Sequence, residues 1–308
     1  MSAAASKLKS RRYADGFPML IRARFRQIFG AAVVIVGIGG VPLFGLQLHG
    51  ERALPTDLAV TGRLAGVPAG ETRFVRWADL RALPAITKLK LDGEFAKGEQ
   101  EVTALWLADV WAALPKAADA DTLLATCTDG YAAVYRPEFI KTYLPILILE
   151  INGQGPDKWP PPGLKFNPGP YVITVSKDIV PAVATYLDAG HKKPWGTHVI
   201  EVANYADRFK AAYTGNWAGL SVRAEAGREI YINSCTSCHG GPDKMFGGTK
   251  SGRVFEVLVA HATHNPEYFK KYVRAPKSVM PLATMQAHPD YTDEQLAAIM
   301  AFVVAEKK

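Results

Sequence analysis

The longest break between polar and apolar character lies near the start of the chain. Residues 28–48, IFGAAVVIVGIGGVPLFGLQL, contain no charged side chain. A helix needs about 20 such residues to cross the hydrocarbon core of a bilayer. Lys7, Lys9, Arg11, Arg12, Arg22, Arg24 and Arg26 precede the run, with only Asp15 against them. This asymmetry predicts a basic cytoplasmic tail over 1–27, a single transmembrane helix over 28–48, and an exported remainder. A cleaved signal peptide has a shorter apolar core, about 7–15 residues, ending at a small-residue site. His49-Gly-Glu-Arg52 supplies no such site, so a retained anchor is the expectation.

After a linker at 49–56 the period shortens. Leu58 and Val60 alternate with small or polar residues, and Gly66–Gly70 with Pro68 marks a turn. Trp77–Leu83 and Leu105–Leu114 read as short helices, each stopped by the following proline. Leu123–Cys127 and Tyr131–Tyr135 read as strands around a Thr-Asp-Gly turn. Ile146–Ile151 is a continuous apolar run ended by Asn152-Gly153, as a strand buried on both faces would be. Six prolines between 155 and 170 predict an ordered irregular loop before a strand at Tyr171–Val175. Residues 57–215 are thus expected to form one α+β domain.

From Val222 the pattern becomes helical. Gly227, Ile230 and Tyr231 begin one helix, and Phe255–Ala260 and Pro266–Val273 give two more. Thr292 and Gln295 have capping-box spacing, and Leu296, Ile299, Met300 and Val303 share one face of a terminal helix. Residues 222–308 are expected to form a small all-α domain, too small for a large core of its own and helped by an embedded cofactor.

Composition adds three constraints. With 308 residues, 48% hydrophobic and 21% charged, the chain is globular and long enough for two domains. The formal charge of +7 is concentrated before residue 30, so the body lacks the broad basic surface that nucleic-acid binding needs. Three cysteines allow no disulfide framework.

Two of them stand in Cys235-Thr-Ser-Cys238-His239, the C-x-x-C-H attachment signature of c-type haem. Two thiols one helical turn apart can each add to a vinyl group, and the next imidazole then reaches the iron. A thioredoxin-like pair would need a βαβ setting, which the surroundings lack. A zinc site would need further ligands, for which His261 and His264 are the nearest candidates.

The context of this motif, Gly227-Arg-Glu-Ile-Tyr231 ahead of it and Pro276-Lys-Ser-Val-Met-Pro281-Leu-Ala-Thr-Met285 after it, resembles class I cytochrome c. The resemblance covers about 222–308. It implies one covalent haem c on Cys235 and Cys238, with His239 as proximal ligand and a methionine as distal ligand. It also implies that Gly227 and Tyr231 pack on the last helix near Ile299 and Phe302. Met280 and Met285 compete as the ligand, and the spacing Pro276, Pro281, Met285 favours Met285 as the family pattern has it. His261, His264 and His288 provide a minor bis-histidine alternative.

The middle block is similar to the sulfite-oxidase-type molybdopterin-binding fold. The pieces are Val60-Thr-Gly-Arg-Leu-Ala-Gly66, Trp77–Pro84, Leu107-Ala-Asp-Val-Trp111, Thr128-Asp-Gly-Tyr131, Asn152-Gly153 and Gly169-Pro-Tyr-Val-Ile173. Enzymes of that family place a cysteine on molybdenum between the first two short helices. Here Ile86–Trp106 holds no cysteine, so molybdopterin is not expected. Cys127 reads as a small buried hydrophobe. Lys192-Lys193 is the best candidate for holding a pterin phosphate, against a solvated turn.

Together these resemblances imply a membrane-embedded monohaem cytochrome of the bacterial inner membrane, its N-terminus cytoplasmic and its haem domain periplasmic. Its partners would be redox proteins: a quinol- or dehydrogenase-linked complex, and another cytochrome or an oxidase. The alternative is a haem-containing molybdenum dehydrogenase of the sulfite-oxidising type.

Overall fold

The computed structural model describes residues 45–185, 189–242, 245 and 255–307. Between Leu58 and Ala203 the chain builds one nine-stranded sheet. Its strands are β1 (Leu58–Gly62), β2 (Arg73–Val75), β3 (Thr87–Asp92), β4 (Glu99–Trp106), β5 (Thr122–Cys127), β6 (Ala132–Tyr135), β7 (Ile146–Ile151), β8 (Tyr171–Thr174) and β9 (Trp195–Ala203). The order is β2-β1-β9-β8-β7-β4-β3, and β5 also pairs with β9 and carries β6. β1 runs parallel to β9 and the other pairs are antiparallel, so the sheet is mixed.

The strand patterns explain the layers. In β7, Leu147 and Leu149 enter one core while Ile146, Ile148 and Ile151 enter another across the sheet. That two-sided burial is why the sequence shows an unbroken apolar run there rather than alternation. Leu105 and Trp106 belong to β4, paired with Leu147 and Ile146, and the helix expected from Leu105 begins only at Leu107. Short helices α1 (Trp77–Arg81), α2 (Leu107–Ala113), α3 (Pro137–Tyr143) and α4 (Tyr205–Arg208) connect the strands.

The C-terminal region is helical: α5 (Val222–Ile230), α6 (Thr236–His239), α7 (Phe255–His264), α8 (Pro266–Arg274), α9 (Pro276–Val279) and α10 (Asp293–Val303). α10 starts with the expected capping box: Gln295 N donates to Thr292 Oγ1 at 3.1 Å, and Thr292 N donates to Gln295 Oε1 at 2.9 Å. α5 crosses α10 at Gly227, where a Cβ would lie 1.9 Å from the Ala298 carbonyl oxygen. Tyr231 packs on Phe302 with ring centroids 5.3 Å apart.

The two regions share a core. β5 turns Leu123 and Ala125 inward to the sheet, while Leu124 faces the other way with Ala132 and Val134 of β6. These three join Tyr231, Ile232, Phe255 and Phe302 of the helices in one apolar cluster.

The expected transmembrane helix is corrected. Residues 1–27 and most of 28–48 lie outside the described residues. Gly45–Leu48, the end of that span, are described and are not helical. Leu46 is buried in the sheet core and its N–H donates to Ala113 O at 2.9 Å, while His49 and Phe74 exchange backbone hydrogen bonds. The last apolar residues of the run are therefore accounted for by the folded body. No described helix is long and apolar enough to cross a membrane. The fold class read from the sequence, which began with a transmembrane helix, is replaced by a mixed-sheet region followed by a helical region. The single-pass inner-membrane placement with a periplasmic haem domain, and the membrane-embedded chain, rested on that helix and go with it.

Candidate metal centre

α5 does not end before the cysteines. It continues through one π-helical turn, Tyr231–Cys235, and then into α6. Such widened turns occur mostly as single-turn insertions within α-helices, frequently at functional sites. Tyr231 and Ile232, fully buried, fix the turn in the core, and Thr236 Oγ1 donates to Ile232 O at 2.7 Å. Gly240, at φ 66, turns the chain away directly after His239.

A second segment comes from the opposite end of the region. α9 opens with Pro276 at its first turn, and the chain then runs without regular structure to α10. Cys235, His239, Met280, Met285, His288 and Tyr291 all line one cleft of about 730 Å³. Leu258, Phe269, Val273 and Ile299 give it apolar walls. Met280 is 39% exposed and its sulfur faces the Tyr268 hydroxyl at 3.9 Å, whereas Met285 is half-buried. Cys238 is half-buried and does not line the cleft; it lies close enough to Tyr131 to disfavour its ionisation. His261 lines the cleft with its ring 5.0 Å from that of Tyr268, and His264 is exposed. No three His, Cys, Asp or Glu side chains among the described residues converge as a metal-ion site, so zinc at this motif has no ligand set there.

These residues fit a haem. The walls of the cleft are mainly apolar with a few convergent polar groups, as those of cofactor pockets are. Three imidazoles (His239, His261 and His288), the thioethers of Met280 and Met285 and the Cys235 thiol line it.

The sheet region also reaches this site, which the sequence reading missed. His191 is 5% exposed, and its Nε2 lies 3.3 Å from Nε2 of His288. Burial, then His288, Lys192 and His239, lowers its pKa from 6.5 to about 3. Tyr131 is hydrogen-bonded to Ser237 and to His191 Nδ1, the latter at 3.3 Å; burial above all drives its pKa upward. Lys192 is not a solvated turn residue: it is 1% exposed and donates to Val134 O at 2.7 Å and Asn233 Oδ1 at 3.2 Å. Lys193 pairs with Glu94 at 2.9 Å. Cys127, 1% exposed, is buried as expected. A lone histidine ahead of two lysines carries no sequence signal of such contacts.

Residues 222–303 match the family model described as cytochrome c oxidase, cbb3-type, subunit III. A stretch of 89 residues is 32% identical to cytochrome c oxidase subunit 2 of Alkalihalophilus pseudofirmus, over 26% of this chain and 25% of that protein. The chain therefore spans about a quarter of the length of this curated relative. The helical region, residues 222–303, is a c-type cytochrome domain, and a domain of this kind carries covalently bound haem.

Proposed function

We propose that the chain is a single-haem electron carrier. Cys235 and Cys238 hold the group by thioethers, His239 is its proximal ligand and Met285 its distal ligand. The observation that carries this reading is the joint lining of one apolar cleft by Cys235, His239 and Met285, which come from segments about 50 residues apart in the chain. Met285 is favoured over Met280 because it is the less exposed and because the Met280 sulfur already faces Tyr268.

When bound, the haem supplies a one-electron couple at iron. The chain's residues supply the rest. His239 and Met285 would together hold the iron, which would suit electron transfer over substrate binding. A thioether ligand favours the reduced state and raises the potential. Leu258, Phe269, Val273 and Ile299 exclude water from the cleft, which acts in the same direction. The partners are redox proteins, on one side a dehydrogenase or quinol-linked complex and on the other a cytochrome or terminal oxidase. The oxidase is the partner class to which the names of the matching family and of the similar protein point.

The sheet region acts in this reading as a docking or scaffold module of sulfite-oxidase-like fold without molybdenum. Ile86–Trp106 forms β3 and β4 and contains no cysteine, and both lysines of the 192–193 pair have internal partners. The test is metal content and intact mass of the purified chain. One iron per chain, a mass increase that survives denaturation, and no molybdenum are expected. Near-stoichiometric molybdenum would replace this reading with a molybdenum dehydrogenase, and no covalent mass increase would end both.

A further inference from the structure

One short piece of the sheet region touches both chain segments that build the haem cleft. It is the 3-10 turn Ala189–Lys192, just ahead of β9. On one side, Lys192 Nζ donates to Asn233 Oδ1, two residues before Cys235. On the other, the His191 and His288 rings lie nearly parallel, 6° apart with centroids at 4.9 Å, three residues after Met285. Gln286 rests directly on Gly190, where a Cβ would meet its Nε2 at 2.5 Å.

The contacts close into a ring. Ser237, inside the haem-attachment motif, is hydrogen-bonded to Tyr131, and the Tyr131 hydroxyl reaches His191. His191 meets His288, whose ring lies 4.9 Å from that of Tyr291. Tyr291 Oη donates to Ser234 Oγ at 3.1 Å, which returns to the π-helical turn. One set of proton positions satisfies the chain from Ser237 to His288, each hydroxyl or ring N–H donating to the next acceptor. Satisfied polar networks in a dry interior are rigid and specify one geometry.

That rigidity matters because of what it holds. Between α9 and α10 the Met280–Thr292 segment has no regular secondary structure and few backbone hydrogen bonds, such as His288 N to Val273 O at 3.0 Å. Its position must come largely from side-chain contacts. A thioether binds ferric iron weakly, so the placement of its loop decides whether it stays bound, and outer contacts of this kind tune a metal site.

We propose that Tyr131 and His191 of the sheet region, with Lys192, are positioning residues for the haem centre: they clamp the axial-methionine loop to the attachment segment, so that ligation and reduction potential depend on the sheet region. This rests on the His239/Met285 reading above. None of the three residues is assigned contact with the iron.

The test uses the full haem-loaded chain and the variants Tyr131→Phe, His191→Ala, His191→Gln and Lys192→Met. The readouts are carbon monoxide binding to the ferrous form, the midpoint potential, and backbone hydrogen exchange over 280–291. For His191→Ala and Tyr131→Phe we expect carbon monoxide to bind at least about tenfold faster, since a loosened loop frees the distal position. The ferric/ferrous equilibrium should move about tenfold toward ferric, equivalent to ~59 mV for one electron. Exchange should rise over 280–291 and stay unchanged in α5 and α10. His191→Gln, which keeps a donor and an acceptor, should recover most of the wild-type behaviour. Wild-type rates and potential in His191→Ala overturn the clamp, as does exchange that rises equally throughout the chain. If His191→Ala fails to fold, Tyr131→Phe, which loses only a hydroxyl, decides by the same readouts. If the wild type itself lacks methionine ligation, the electron-carrier reading fails separately. Exchange over 280–291 then still judges the clamp, supporting it if the variants exchange faster there and overturning it if they do not.

Discussion

Gly227 of α5 lies so close to α10 that a Cβ would stand 1.9 Å from the Ala298 carbonyl oxygen and 2.8 Å from Ile299 N. The obstacle is backbone, which cannot rotate aside as a side chain can. Gly227→Ala must therefore push the two helices apart and disturb Tyr231 against Phe302. A loss of about 1–3 kcal/mol, toward the upper end, is expected in urea unfolding of the haem-loaded chain. An unchanged midpoint would mean that α5 and α10 do not cross at this residue.

Met280 and Met285 both line the cleft but differ in surroundings. Met285→Ala should abolish the sulfur-to-iron charge-transfer band of the oxidised protein and open the iron to added imidazole. Met280→Ala should keep the band. The reverse pattern in the visible spectra would exchange the two roles.

Cys235 and Cys238 each form one of the proposed thioethers. Cys235→Ala should keep one covalent attachment and shift the alkaline pyridine spectrum of the reduced haem toward that of a single-thioether species. The Cys235→Ala/Cys238→Ala variant should carry no added mass after denaturation. Retained mass in the double variant would place the linkage elsewhere.

His191 provides a pH dependence. Its pKa is about 3 when folded, held down by burial and by its neighbours, against about 6.5 unfolded. Above pH ~6.5 both states are neutral at this residue and its contribution is complete. As pH falls below that value the unfolded chain takes up a proton that the folded chain refuses, so stability declines toward pH 3 at up to about 1.4 kcal/mol per pH unit. Urea unfolding at pH 7, 5.5 and 4.5 should show the wild type losing stability relative to His191→Gln. Parallel curves for the two proteins would show that His191 titrates normally.

Lys192 is buried and donates to a backbone carbonyl and an amide side chain. Lys192→Met removes the ammonium that lies over the Tyr135 and Phe139 rings and leaves two acceptors without this donor. A stability loss of about 1–3 kcal/mol is expected from thermal or urea unfolding. A neutral or stabilising effect would mean that water replaces the ammonium.

The parts of this protein legible in its sequence are those whose cause is local. The spacing Cys235, Cys238, His239 is a chemical requirement of one attachment and needs no distant residue. The capping box at Thr292 and Gln295 closes within one helical turn, and the doubly buried β7 declares itself as an unbroken apolar run. Longer-range causes were misread or invisible. The apolar end of the 28–48 run suggested lipid, yet Leu46 is buried by protein. β9, which pairs with three other strands, carries Gly196, His198 and Glu201 within WGTHVIEVA and shows neither clean alternation nor an apolar run.

The sequence by itself determined which reactive side chains stand together at Cys235, Cys238 and His239 and the helical character of the region around them, because both follow from spacings of a few residues. Only the tertiary structure decided what surrounds that chemistry. His191 and His288 are 97 residues apart and meet because β5–β6 and β9 carry the sheet against α5 and the loop before α10. Nothing in the local pattern of either histidine records the other, since burial and hydrogen bonding between them arise only when the two regions close on a common core.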